Sequence, residues 1–276
     1  MEIAFIRQLT RIYMKTFKSR IKSMKKMRLA VVFAALTVMF GFTSCLDDNG
    51  GDSRSMGQEI VKVSGAAGFY SFRSFGGYTL NPTNQSALQN LALNSPYALV
   101  AYYYDPSTVT QGFTQLDVEM ASASEVKSGT VELGEAPEGG GNLPVYAVLN
   151  DSRGVPLIAE KSILFLPVTY YYANSSDQTE LASELNSHSF TLYYEGEESV
   201  NGRMRLELCH NVTDSTVTRT GVGTEYRYFN IASALGSYES QFGSSPREII
   251  VEFEQASVGS VNGSMNSITF EYKTSE

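Results

Sequence analysis

Histidine and cysteine, which often act as base and nucleophile in enzymes, are rare in this sequence. The chain contains two histidines, His188 and His210, and two cysteines, Cys45 and Cys209. A nucleophilic triad needs a histidine base beside its nucleophile. Cys209 and His210 are adjacent in a predicted strand, where successive side chains point to opposite faces, which disfavours a Cys–His dyad. We expect His210 to be a hydrogen-bonded residue at the edge of the core and Cys209 a small buried hydrophobe, with a catalytic thiol as the alternative.

Other motifs of catalytic and metal sites are incomplete. Two histidines are too few for a multi-histidine metal site within one chain, and residues 47–50 lack a bidentate acid at calcium-loop spacing. The glycines at 221 and 223 are not followed by a P-loop lysine. The sequence therefore predicts no catalytic residues, no metal and no cofactor, so we expect a protein that is not an enzyme. The tyrosines of 102–104 and 170–172 could stack on sugar or peptide rings, with strand packing as the alternative.

Cys45 offers a different chemistry, because its thiol can carry a thioether-linked diacylglycerol. Three basic residues between positions 25 and 28 precede an uncharged run over 29–44, which ends in the small residues Thr43 and Ser44. This pattern predicts a secretory signal peptide over 1–44 that is cut before Cys45. The run of 16 residues is shorter than the roughly 20 that span a bilayer. The alternatives are a single transmembrane helix and a secreted protein whose Cys45 is incidental.

The segment 42–45, Phe-Thr-Ser-Cys, resembles the cleavage box of Bacteroidota-type lipoproteins, with Phe42 in place of the usual leucine. The resemblance implies a diacylglycerol and an amino-terminal acyl group on Cys45, which together anchor a protein stably in a membrane. Asp47 and Asp48 resemble the acidic tag that directs such lipoproteins to the outside of the outer membrane, with a plain spacer as the alternative. Met24 begins a more typical signal, so residues 1–23 are interpreted as an upstream mis-start, with a transit peptide as the alternative.

Charge excludes one class of partner. Residues 1–44 hold nine of the 21 basic and one of the 29 acidic residues, so the remaining 232 residues carry 12 basic and 28 acidic side chains, a net charge of −16. A nucleic-acid-binding protein needs a basic surface, so we expect no nucleic-acid partner. High tyrosine and phenylalanine content, 17 and 15 residues with no tryptophan, favours an all-β fold.

Alternation of apolar and polar residues predicts strands throughout the two halves. In the first half the predicted strands lie at 60–63, 69–73, 78–80, 97–104 and 113–120, and Val131 with Leu133 closes the region. They predict a small OB-like β-barrel over 57–137, preceded by an acidic flexible tether over 45–56. A polar, Gly-rich joint at 138–142 marks the expected domain boundary.

The second half has longer predicted strands and two short helices. The strands lie at 144–149, 163–172, 189–194, 203–210, 226–231, 248–254 and 267–273, and the helices at 179–185 and 232–241. Asn201-Gly202 and Asn262-Gly263 have the composition of hairpin turns. About seven strands with one polar face each predict an immunoglobulin-like β-sandwich over 142–276.

Four stretches together resemble the NigD-like lipoproteins: 45–48, 70–84, 187–192 and 206–211. The resemblance covers nearly all of the chain after the signal. It implies an OB-type barrel followed by a β-sandwich, and the family's association with a bacteriocin gene cluster implies a role in immunity. Cys209 stands where a basic residue is expected, and the tyrosines of 170–172 are unusual for the family. No catalytic residues come with the resemblance.

Three residues are predicted to contact ligand or carry a modification. Small barrels bind beside their open mouth, so Phe75 and Tyr78 are predicted ligand contacts, with a place in the barrel core as the alternative. Ser215 follows Asp214 in a motif that resembles a Bacteroidota-type O-glycosylation acceptor.

Together these features predict an outer-membrane lipoprotein, exposed at the cell surface, that acts as a non-catalytic binding or protective module linked to bacteriocin immunity. The alternative is a structural or accessory subunit of an envelope or fimbrial assembly, formed by pairing of exposed sheet edges. The expected partners are a membrane, through the lipid on Cys45, and a protein, peptide or glycan ligand.

Overall fold

A computed structural model describes residues 54–66, 69–89, 91, 93–138, 140–256 and 263–275. The predicted signal, Cys45 and most of the predicted tether lie outside the described residues. No helix within the described ranges is long and apolar enough to span a membrane. The chain in these ranges is mostly β, as the sequence predicts.

The first half forms a closed barrel with strand order β1-β2-β3-β5-β4, in which β4 also pairs with β1. The strands are β1 (Ser55–Ala66), β2 (Phe69–Ser74), β3 (Thr79–Pro82), β4 (Tyr97–Tyr104) and β5 (Gln115–Glu125). Alternation works as predicted in β5, where Leu116, Val118 and Met120 are buried inside the barrel. The predicted hairpin joins β2 to β3, with Phe72 opposite Leu80.

The second half packs two sheets face to face. Their strands are β6 (Lys127–Ser128), β7 (Thr130–Leu133), β8 (Ala147–Val148), β9 (Leu157–Ala159), β10 (Ile163–Tyr172), β11 (His188–Tyr194), β12 (Arg203–Val212), β13 (Gly221–Asn230), β14 (Glu248–Ala256), β15 (Gly263–Glu271) and β16 (Thr274–Ser275). One sheet has the order β16-β9-β10-β13-β6, with β8 also on β10, and the other has the order β15-β14-β12-β11-β7. Between them lies a continuous apolar core.

Two α-helices and three 3-10 turns complete the described elements. They are α1 (Gln178–Ser187), α2 (Ala232–Phe242) and the 3-10 turns Gln85–Leu88, Pro106–Thr108 and Gly196–Glu198. Asp177 caps α1 by accepting hydrogen bonds from the amides of Thr179 and Glu180. α2 ends at Phe242 and is followed by the cap residue Gly243, whose φ of 74° suits a residue without a side chain.

The sandwich differs in one respect from the expected immunoglobulin-like arrangement. Immunoglobulin sheets are antiparallel, whereas here β12 pairs with β14 and β7 pairs with β11 in parallel. The connection from β12 to β14 passes through β13 of the other sheet and then α2, so the chain returns in the same direction. A crossover of this length is what a parallel pair requires.

The segment after β5 does not close the barrel, which corrects the sequence interpretation of Val131 and Leu133. β6 pairs with β13, and β7, which holds both residues, pairs with β11. The chain passes from one sheet to the other at Gly129, where an added Cβ would lie 2.0 Å from the buried ring of Phe229. A glycine is therefore needed where the backbone crosses the end of the core.

Barrel and sandwich share a third apolar cluster. β10 is buried on both faces because alternate residues serve different cores: Leu164 and Leu166 face the sandwich, whereas Phe165 contacts Tyr97 of the barrel at 5.0 Å between ring centroids. Glu160 adds an ion pair to Lys62 at 2.5 Å. The barrel thus packs on the outer face of the six-stranded sheet. The division into domains at 57–137 and 142–276 stays a prediction.

Candidate functional site

Of the residues chosen from the sequence, the structure describes Phe75 and Tyr78 in the first half and Ser215 in the second. Cys45, Asp47 and Asp48 lie outside the described residues. Ser215 lies in the exposed loop between β12 and β13, where Asp214 accepts hydrogen bonds from the amide and the hydroxyl of Thr216. These bonds lower the pKa of Asp214. The acceptor motif is therefore held in an exposed turn, and its glycosylation stays a prediction.

Phe75 and Tyr78 both have packing partners. Tyr78 is 4% exposed, and its hydroxyl donates to Glu59 at 2.7 Å. Phe75 is half-buried between the barrel and the sandwich, with its ring 6.1 Å from Tyr97 and 5.7 Å from Phe165. Tyr78 thus belongs to the barrel core, whereas Phe75 packs between the barrel and the sandwich rather than in the barrel core. A ligand role for either one stays a prediction.

We expect Phe75→Ala to destabilise the protein by about 2 kcal/mol, less than the cost of truncating a fully buried ring. The reason is the loss of two aromatic contacts between barrel and sandwich. Thermal unfolding of the variant measures the effect, with Phe69→Ala as the control because Phe69 is 86% exposed. An unchanged midpoint for Phe75→Ala would instead leave this side chain available for a ligand.

A buried polar cluster at Glu59 was missed by the sequence interpretation. Glu59 is 7% exposed inside the barrel and accepts three hydrogen bonds, from Ser74 Oγ at 2.5 Å, Tyr78 Oη at 2.7 Å and Tyr102 Oη at 2.7 Å. Burial, followed by the charge of Glu59, raises the pKa of both tyrosines. Gly57 makes room for this cluster, because a Cβ there would lie 2.6 Å from the ring of Tyr102.

The two histidines meet between the two sheets of the sandwich. His188, at the start of β11, and His210, in β12, are 3% and 2% exposed. His188 Nδ1 lies 2.9 Å from His210 Nε2, and the rings stack at 5.1 Å between centroids. The ring of Phe190 stacks on His210 at 4.5 Å between centroids. His210 is therefore hydrogen-bonded within the core, close to the expected edge position.

A chain of charged groups leads from this pair to the surface. His188 Nε2 lies 3.1 Å from Glu184 Oε1 on α1, and Arg219 Nε donates to the same oxygen at 2.7 Å. Burial alone would raise the pKa of Glu184, but the hydrogen bonds from the Ala173 amide, Arg219 and His188 lower it below its ordinary value. Glu184 is thus a carboxylate that accepts from every partner.

This geometry assigns the imidazole tautomers. Because Glu184 accepts, His188 Nε2 carries a proton, His188 Nδ1 is then an acceptor, and His210 Nε2 donates to it. His210 Nδ1 is buried without a well-formed hydrogen bond, although the backbone of Pro144 lies close enough to His210 to raise its pKa against the effect of burial. Burial first, and then the neighbouring His188, lower the pKa of His210 to about 3, while burial lowers the pKa of His188. The pair is neutral at pH 7.

Cys209 faces away from the histidines, as the strand alternation predicts. Its thiol is buried and free, and it lies opposite Thr191 in the pairing of β11 and β12. Burial, followed by the charges of Glu207 and Glu254, raises its pKa to about 12. A thiol with so high a pKa is almost entirely protonated at neutral pH and is a poor nucleophile.

Two clefts flank the loop over 213–220, next to the end of the charged chain. One, of about 360 Å³, includes Glu184, Ser187 and Arg219. The other, of about 500 Å³, includes Pro144, Tyr171, Val217 and Arg219. Ser187 Oγ is buried and has no hydrogen-bond partner within the described residues. Both nitrogens of the adjacent His188 are already bonded, so this serine has no imidazole base.

Within the described ranges, no three His, Cys, Asp or Glu side chains are placed to hold a metal ion.

No protein-family model and no curated protein sequence matches this chain. Solved structures do. A predicted lipoprotein from Bacteroides fragilis is 21% identical, with a TM-score of 0.66 over 80% of this chain and 100% of that one. The two proteins share a fold. A NigD-like immunity protein from Bacteroides caccae is 13% identical, with a TM-score of 0.46 over 81% of this chain and 99% of that one. The structural neighbours thus include a NigD-like protein, the family that the sequence resembles. Its sequence identity and TM-score are too low to assign a role to this chain.

Proposed function

We propose that this chain is a lipoprotein of the outer membrane that binds a ligand without converting it. The observation that supports the absence of turnover is the burial of the hydrogen-bonded histidine pair. Three of its four ring nitrogens lie within hydrogen-bond distance of a partner, and the fourth, His210 Nδ1, is buried in the core. A general base must reach the proton that it abstracts. Neither histidine meets that requirement for a molecule in the adjacent clefts.

A screen for binding and turnover tests this proposal. The mature protein is incubated with envelope glycans, bacteriocin peptides and neighbouring envelope proteins, and each mixture is followed both for complex formation and for product by mass spectrometry. We expect a complex with at least one of these ligands and no product. Product that disappears in Ser187→Ala or Glu184→Gln, but not in the surface variant Glu135→Gln, would make the chain an enzyme.

Location rests on the sequence before residue 54. We expect Cys45→Ala to leave uncleaved, non-acylated precursor, because the acylated thiol is replaced. Protease added to intact cells should digest the natural protein, and Asp47→Ala with Asp48→Ala should protect it. Fractionation and immunoblotting measure both effects. Normal membrane retention of Cys45→Ala would remove the anchor from the proposal, and resistance of the natural protein would place it on the periplasmic side.

A further inference from the structure

We propose that an open cleft of about 760 Å³ at one end of the sandwich binds the carboxylate of an acidic sugar through Arg247. The cleft is formed by the turn between Val200 and Arg203, the start of β14 and the end of β15. Its volume lies in the range of small-molecule sites. The inference rests on the proposed function, because it gives the binding module a ligand class and a site.

The walls of this cleft are tied together by backbone hydrogen bonds. The Gly202 carbonyl accepts from the amides of Arg247 and Glu248 at 2.9 and 3.1 Å, and the Arg247 carbonyl accepts from the Tyr272 amide at 2.8 Å. The hydroxyl of Tyr238 in α2 accepts from the Gly202 amide and donates to the Val200 carbonyl. A site held in this way is formed before a ligand arrives, which reduces the entropy lost on binding.

The cleft concentrates positive charge in an acidic protein. Arg203, Arg247 and Lys273 line it, although residues 45–276 contain only 12 basic side chains. Arg203 is paired with Glu248 at 2.9 Å, and Lys273 is paired with Glu271. Three cations and two carboxylates leave a net positive charge, which favours an anionic ligand.

Arg247 is the cation with unused capacity. Six of the eight arginines after residue 53 have a carboxylate within 4.0 Å, whereas Arg247 has none within the described residues. Its guanidinium lies against Gly202, where an added Cβ would be 2.8 Å from Nη2, and Gly202 has a φ of 89°. The turn therefore positions a planar fork of donors beside the cleft, and that fork matches a carboxylate in two parallel hydrogen bonds.

The remaining lining favours a sugar over a small inorganic anion. Tyr272 is half-buried, and its hydroxyl donates to the Lys161 carbonyl at 2.8 Å, so the position of its ring is fixed. A fixed aromatic ring can pack against the apolar face of a sugar. Asn201, Glu248 and Glu271 add side chains that can bond sugar hydroxyls. Inorganic phosphate would gain from Arg247 but not from Tyr272.

The test is a titration of the mature protein with glucuronate, glucose and inorganic phosphate at low salt, followed by calorimetry and by NMR shifts. We expect measurable but weak binding of glucuronate. Phosphate should bind more weakly than glucuronate, and glucose should show little binding. Arg247→Gln should reduce the glucuronate affinity roughly tenfold or more, because it removes a charge-assisted bond. Tyr272→Ala should reduce glucuronate binding without changing phosphate binding. Arg153→Gln is the matched control, since Arg153 is exposed elsewhere and pairs with Asp151.

Three results would overturn this site. They are unchanged glucuronate affinity in Arg247→Gln, phosphate binding as tight as glucuronate binding, and no glucuronate binding at roughly 50 mM, where even a millimolar complex saturates. If glucuronate does not bind but another ligand binds equally well to the natural protein and to Arg247→Gln, the acidic-sugar site is rejected. The proposal that the protein binds a ligand without converting it then still stands. Turnover of a ligand that depends on Ser187 would reject the proposed function alone.

Discussion

Replacing Glu59 with alanine is expected to destabilise the protein by about 3–5 kcal/mol, because three buried hydroxyls lose their acceptor at a cost of about 1–3 kcal/mol each. The carboxylate accepts from the hydroxyls of Ser74, Tyr78 and Tyr102 inside the closed barrel. The variant leaves these three hydroxyls buried without their acceptor and creates a cavity. Each unsatisfied buried group adds a desolvation penalty. Chemical denaturation of the mature protein at pH 7 measures the free energy of unfolding.

Two further variants separate the charge of Glu59 from its shape. Glu59→Gln keeps the size but introduces an amide that donates into a cluster of donors, so we expect an intermediate loss. Tyr102→Phe removes one donor and leaves the carboxylate two, so about 1 kcal/mol is expected. Glu135→Gln, on the exposed surface, is the control. A Glu59→Ala variant as stable as this control would show that the hydroxyls find other partners.

The positions of the long strands were predictable because their apolar runs are rich in β-branched and aromatic residues. β4 and β10 begin and end as the sequence predicts, and the apolar face of β5 is the buried one. The pairing of β6 and β7 was not predictable. Strands of two and four residues carry little periodic signal, and their partners are set by the crossing over Phe229 at Gly129, a tertiary contact. The long strands of the sandwich were therefore predictable from the sequence, whereas β6 and β7, each at the edge of a different sheet, were not.

The two polar clusters were hidden for different reasons. Glu59 precedes Ile60 and Val61, which face two different cores. Its charge suggests a solvent-facing position, but the closed barrel buries it. The side chain of His210 was predicted to face the core by its shared parity with Leu206 and Leu208. Its contact with His188 depends on register, because β11 places Phe190 directly opposite His210 and His188 one step diagonally away. A single sequence does not fix that register.

The buried histidine pair predicts loss of stability in mild acid. The folded pKa of His210 is lowered to about 3, and that of His188 is also lowered. In the unfolded chain both return to about 6.5. The unfolded state therefore binds more protons below pH 6.5, and the stability that the neutral pair contributes above that pH is lost progressively as the pH falls towards the folded pKa.

We expect the free energy of unfolding to fall by about 1.4 kcal/mol per pH unit for each proton that the unfolded chain takes up. The window between pH 6 and 5 isolates the effect, because the chain contains two histidines and most carboxylates titrate below it. His210→Phe keeps a ring between Phe190 and His188, so it should flatten the slope while lowering stability at pH 7. The double variant with His188→Phe should abolish the slope, whereas Glu135→Gln should keep it. Urea denaturation at several pH values measures it, and a natural slope retained in His210→Phe would contradict a neutral, buried His210.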